Sequence, residues 1–169
     1  MGEIIATKAA ISSEFQIVDK GQVTNFLGLE IQREGTTGAI RVSQKKHIVG
    51  LLDEMGMSNC RTTSIPLEAN FQVNCEGELC KRVDITKYQS VIGSLMYIAL
   101  CTRPDILHSV CKLAQRNSNP HSEHLAAAKQ VLRYLHNTAD LALVYEKTGE
   151  MIAGYADADW AGDSTDRKS

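Results

Sequence analysis

Aromatic side chains are scarce in this sequence, at 5% of 169 residues with a single tryptophan, and prolines number three. The 43% hydrophobic content still suffices to bury a core as one domain or as two small ones. Long apolar runs are missing: nothing approaches the ~18 residues that a membrane span requires. The N-terminal MGEIIATKAAISSEF has no basic segment leading into an apolar one, and Ala6 stands where a myristoylation signal wants Ser or Thr. An excess of one charge is also lacking. The net charge of −2 is too small to name a partner, so any nucleic-acid contact has to come from local basic faces. The five cysteines are odd in number and show no paired Cys-x-x-Cys spacing, which excludes a zinc ribbon and leaves reduced thiols in an intracellular protein as the expectation. There is no nucleophile motif, no glycine-rich phosphate loop, no internal repeat and no low-complexity tract.

What is present is a series of periodicities that change type. Residues 3–14 carry loose helical spacing through Ile4, Ile5 and Ala9. Phe26-Leu27-Gly28-Leu29-Glu30-Ile31 then alternates in the manner of a strand, up to a turn-rich stretch over 34–38, and 39–42 predicts the returning strand. Ser43 is the candidate N-cap of a helix lined by His47, Ile48, Leu51, Leu52 and Met55 and stopped at Gly56. From 59 to 82 the periodicity is lost, which marks a connector. Asp84 is positioned to cap a helix striped by Tyr88, Val91, Ile92, Leu95 and Ala99, and Arg103-Pro104-Asp105 breaks it and starts the next. Ile106, Val110, Leu113 and Ala114 line that second helix, and Leu125, Ala128, Leu132 and Leu135 a third. Two short strands over 141–145 and 151–155 predict a hairpin around 147–150. The expected class is α+β.

Three groups of residues carry candidate chemistry. Lys129, Arg133 and His136 fall at spacings of four and three on the third helix, a stripe that could follow a phosphate backbone by displacing counterions; an ordinary solvated face is the alternative. Arg41, Lys45 and Lys46 form a second small basic cluster with the same two readings. Asp157, Asp159 and Asp163 follow the last strand, as carboxylates do where a hydrolase presents oxygen ligands to Mg²⁺, against a simple polar loop. Two-metal phosphodiester chemistry needs several converging carboxylates, and the sequence stops at Ser169. His121 and His124, one turn apart, are expected as exposed first-turn histidines rather than as metal ligands.

The order of motifs is more specific than any one of them. ISSEF (11–15), FLGLEIQ (26–32), RVSQKKHIVGLLDEMGM (41–57), YQSVIGSLMYIALCTRPDI (88–106), AAAKQVLRYLHNT (126–138) and GYADADWAGDSTDRKS (154–169) together resemble the pol polyprotein of copia-type LTR retrotransposons, over nearly the whole chain except around 69–81. The resemblance implies the end of the reverse transcriptase palm and the start of the thumb over 1–58, a connector over 59–83, a helical thumb and connection block over 84–147, and the truncated start of an RNase H sheet over 148–169. It implies that Phe26, Leu27, Gly28 and Leu29 form the primer-grip hairpin, Gly28 permitting a close approach that a side chain would block. It implies that Asp157 is the first metal-binding aspartate of RNase H, with Asp159 a weaker second. The family's Tyr-Val-Asp-Asp turn has no counterpart here. The expectation is therefore a scaffold for RNA/DNA hybrid or template-primer, partnered by the rest of the polyprotein, inactive alone, without tightly bound Mg²⁺, and open to self-association along the sheet edge at 151–157. A host-recruited protein-interaction module and an incomplete piece of an active polyprotein are the alternatives.

Overall fold

A computed structural model of the chain describes residues 2–68, 71, 81–151 and 153–156. Among them are five α-helices and one four-stranded antiparallel sheet, so the α+β expectation holds. Helix α1 spans Gly2–Glu14; strands β1 (Asn25–Phe26), β2 (Leu29–Arg33) and β3 (Ile40–Ser43) follow, then α2 (Lys45–Glu54) and α3 (Ile85–Cys101). A single 3₁₀ turn at Pro104–Ile106 leads into α4 (Leu107–Ala114), α5 (Ser122–Asn137) and β4 (Leu143–Tyr145).

Helices α2 to α5 bury their stripes against one another. Ile48, Leu51 and Leu52 of α2 meet Tyr88, Val91, Ile92, Leu95, Ile98 and Ala99 of α3, Val110 and Leu113 of α4, and Ala128, Val131, Leu132 and Leu135 of α5 in one aliphatic cluster. Each stripe repeats every three or four residues, the spacing that keeps one helical face turned inward. Tyr88 is fully buried, and its hydroxyl donates to the Leu113 carbonyl at 2.9 Å, so the one phenol inside the cluster has a partner. Burial pushes that phenol's pKa up to about 12.

The helix ends follow local rules, with one correction. Asp84 caps α3 by accepting from the Lys87 N–H at 3.0 Å. Gly56, at φ +64°, closes α2: the Gly56 N–H donates to Asp53 and the Met57 N–H to Leu52, the paired bonds of a Schellman ending. Ser43, however, does not cap α2. It is spent in β3 opposite Glu30, and the helix starts after Gln44. The Glu30 carboxylate reaches over from β2 and accepts the Lys46 N–H at 2.9 Å, so a strand supplies the cap.

The sheet departs from expectation at two places. The run from Phe26 to Ile31 is not one strand: Phe26 pairs with Leu29, and Leu27 and Gly28 form the two-residue turn between β1 and β2. Both have positive φ, +49° and +78°, as a type I′ hairpin requires. The second departure is the C-terminal hairpin. Residues 141–145 do supply a strand, but β4 pairs with β3, matching Val42 to Leu143 and Ile40 to Tyr145. Met151 and 153–156 belong to no strand, and Met151 and Tyr155 are almost fully exposed. Among the described residues the edge strand beyond β3 is therefore β4, and the expected edge at 151–157 lies partly outside them. β3 offers a preformed row of backbone groups, which a partner across a short turn would otherwise have to build in isolation.

By register, Phe26, Leu29, Ile31, Arg33, Ile40, Val42, Leu143 and Tyr145 share one face of this sheet, apolar except for Arg33. None of them belongs to the helical core. Helix α1 likewise buries no residue; Ile4, Ile5 and Ile11 are exposed on it, and Phe15 is exposed just past its end.

Candidate nucleic-acid interface

Among the described residues, the one non-glycine position with positive φ is at the hairpin tip. Leucine in the left-handed region costs about 1–2 kcal/mol relative to its usual conformations, yet Leu27 is held there and 74% exposed, beside Phe26 at 56%. The Tyr97 hydroxyl on α3 donates to the Leu27 carbonyl and ties the tip to the helical block. Burial and the neighbouring Cys101 thiol raise the Tyr97 phenol, keeping it a donor. The His47 ring packs edge-on against Tyr97 at 5.5 Å between centroids. Gly28 supplies the φ of +78° that the turn requires, and within the protein a Cβ there would meet Tyr97 at 3.8 Å, ordinary contact. A direct test follows: Leu27→Asn, which tolerates positive φ, should raise unfolding stability by about 1 kcal/mol in urea titration. A loss of stability would show that the Leu27 side chain is held by packing.

The basic residues separate into different environments. Lys45 is taken up by an ion pair with Asp140 at 2.6 Å, whose hydrogen bond raises the lysine's pKa. Arg41, half-buried, lies between Gln32 and Val144 in the sheet. Lys46 is exposed and lines a cleft of about 420 Å³ together with Gln22, Asn25, Glu30, Gln32 and Arg33. On α5, Lys129 and Arg133 are half-buried and have no ion pair among the described residues. His136 turns its Nδ1 to the Cys60 thiol at 3.6 Å, so the third member of that stripe is in contact with a protein group.

The histidine pair at the start of α5 is a correction. His124 is 1% exposed, not a surface group, and its Nδ1 accepts the His121 N–H at 2.9 Å. The spacing 124, 128, 131, 135 places it on the apolar face, a signal the stripe begun at Leu125 passed over. Tyr97, Glu30 and Arg33 are the other residues around the hairpin and its cleft that sequence reasoning missed. Arg33 could have been found by continuing the strand alternation two residues past Ile31. Asp157, Asp159 and Asp163 lie outside the described residues. Among those described, no three His, Cys, Asp or Glu side chains are grouped to hold a metal ion, and no helix is long and apolar enough to cross a membrane.

No family model matches the chain, and no solved structure does. Among curated proteins it is similar to retrovirus-related Pol polyproteins of transposons. It is 36% identical to that of the transposon TNT 1-94 of Nicotiana tabacum over 99% of this chain and 13% of the relative. To that of the transposon RE1 of Arabidopsis thaliana it is 34% identical, over 92% of this chain and 10% of the relative. An uncharacterised mitochondrial protein of Arabidopsis thaliana is 32% identical over 94% of this chain and 65% of its own length. The chain belongs to the copia-type retrotransposon Pol family. It spans about a tenth of the length of the polyproteins it matches.

Proposed function

We propose that this chain is a nucleic-acid-binding scaffold from the reverse transcriptase and RNase H part of a retrotransposon polyprotein, without polymerase or RNase H activity of its own. In this reading β1 and β2 act as a primer-grip-like hairpin, and α2 to α5 as thumb and connection. The observation that carries it is the hairpin tip, where Phe26 and Leu27 are exposed on a turn with positive φ at Leu27 and Gly28, anchored from behind by Tyr97. Strain of this kind persists where surrounding structure over-determines it, and it collects at functional sites. The tip presents backbone and apolar surface to a strand, and in this reading the cations of α5 neutralise phosphates of the same hybrid. Mg²⁺ belongs, in this reading, to the intact polyprotein: Asp157 and Asp159 alone would hold it at millimolar affinity at best, on the order of the weakest oxygen-ligand sites.

The test is fluorescence anisotropy on a blunt RNA/DNA hybrid across a salt series. We expect weak binding that falls steeply with salt, and a slope lowered by about two in a Lys129→Ala, Arg133→Ala double variant, at ~0.9 per duplex phosphate. Primer extension with Mg²⁺ or Mn²⁺ should give no incorporation above a heat-killed control. An unchanged slope would return Lys129 and Arg133 to a solvated face.

A second role has its own observation. Helix α1 buries nothing, and an isolated helix of that length is marginal in water. Its exposed isoleucines and the apolar sheet face suit burial against adjoining parts of the polyprotein, or against a recruited protein. Such a contact would be insensitive to salt, which separates it from the hybrid.

A further inference from the structure

We propose that the cleft between residues 22–25, β2 and the start of α2 takes a single nucleic-acid strand, its phosphate held by Arg33 and Lys46. This deepens the hybrid-binding reading and rests on it. The cleft of about 420 Å³ has two exposed cations in its wall, and neither is in an ion pair with any described residue. The one carboxylate there, Glu30, already accepts the Lys46 N–H, so the wall carries a net positive charge although the chain is net negative. That local field is what draws a phosphate into one recess of an otherwise balanced surface.

The remaining lining points to bases rather than to a free anion. Gln22, Asn25 and Gln32 bring three carboxamides into the same cleft, each able to donate and accept at once and so to meet a base edge in bidentate fashion. No aromatic ring lines it, which removes the stacking platform on which sequence-blind single-strand binders rely. Recognition there is by phosphate charge and hydrogen bonding. A duplex is too wide to enter a recess of this volume, whereas a strand leaving the duplex can place about one nucleotide in it.

Two probes separate this site from the wider interface: a blunt RNA/DNA hybrid, and the same hybrid with a single-stranded adenine overhang. The overhang should tighten binding by the full chain. An Arg33→Gln, Lys46→Gln variant, whose changes are exposed and leave the α2 cap in place, should lower the salt slope for the overhang probe by about 1.4, at ~0.7 per single-strand phosphate. Its loss on the blunt hybrid should be smaller than its loss on the overhang probe. If the unaltered chain shows no salt-sensitive binding to either probe, both the hybrid-binding reading and this site fall. If it binds the hybrid but the overhang adds nothing, or if the variant keeps the full slope, the site falls alone. Equal weakening on both probes would make Arg33 and Lys46 duplex contacts and overturn the single-strand assignment.

Discussion

Arg103→Met should lower unfolding stability by about 3 kcal/mol, the lower end of what breaking a buried ion pair costs. The guanidinium is 2% exposed and satisfied on every side that the joint between α3 and the 3₁₀ turn offers. Its Nε and one terminal nitrogen donate to both oxygens of Asp105 at 3.0 and 2.8 Å, and its terminal nitrogens donate to the Thr138 carbonyl at 2.9 Å and hydroxyl at 2.6 Å. The Tyr134 ring lies beneath the guanidinium carbon at 5.4 Å, and the Tyr134 hydroxyl donates to Asp105. One side chain thus fastens the end of α3 to the end of α5. Methionine fills the space but strands Asp105 and the Thr138 carbonyl. Because the Asp105 side chain is 37% exposed, water reaches it and softens the loss. The melting temperature should fall by about 6–12 °C for a chain of this size, and a fall under 2 °C would show the network to be ornamental. Lysine should not rescue, since it has no planar fork for Asp105.

The same network sets an acid limit. Burial raises the Asp105 carboxyl, but the hydrogen bonds from Arg103 and Tyr134 outweigh it and leave its pKa below the usual carboxylate value. A depressed folded value means stability that is fully present above the unfolded pKa near 3.9 and lost as pH falls through the folded one. Urea midpoints should therefore drop more steeply below about pH 4 in the unaltered chain than in Asp105→Asn.

Leu132→Ala should cost about 3–4 kcal/mol, within the range for emptying a fully buried leucine site. Leu132 is 0% exposed in the helical cluster, and with few aromatic rings nearby to slide over, the cavity has little to collapse onto. Leu125, seven residues earlier on the same helix, is only partly buried, and its alanine variant should cost roughly half as much. The measurement is the urea midpoint at constant m-value; equal losses at the two positions would show that the stripe does not grade from core to rim as the structure has it.

Most of the helical block was legible in the sequence because each helix signals its own limits: Asp84 before the α3 stripe, Pro104 at the start of the 3₁₀ turn, Gly56 after α2. The sheet was not, for the opposite reason. A turn built on leucine rather than Asn-Gly hides inside an apolar alternation, so β1 and β2 read as one strand. The strand at 143–145 was recognised, but nothing local says whether it pairs forward to 151–155 or back to 40–42, since both are apolar. The α2 cap was hidden too, because the acceptor for its Lys46 N–H is Glu30, on another element. Of the candidate site, Phe26, Leu27 and the lysines could be named from the sequence and Arg33 by carrying the alternation past Ile31, while Tyr97 becomes visible only when the hairpin is placed beside α3.

The pairing of β3 with β4, reinforced by the Lys45–Asp140 bridge, joins positions about a hundred residues apart. Contacts this distant carry their loop-closure cost before they return any stability. On the ribosome, β1 to β3 and α2 emerge early and must wait for β4, about 5 to 10 seconds at ~10–20 residues per second. Throughout that interval β3 offers an uncovered edge. Among the described strands the last one made is the one that covers β3, so a chain stalled before residue 143 would expose a sticky intermediate rather than a shorter version of the fold.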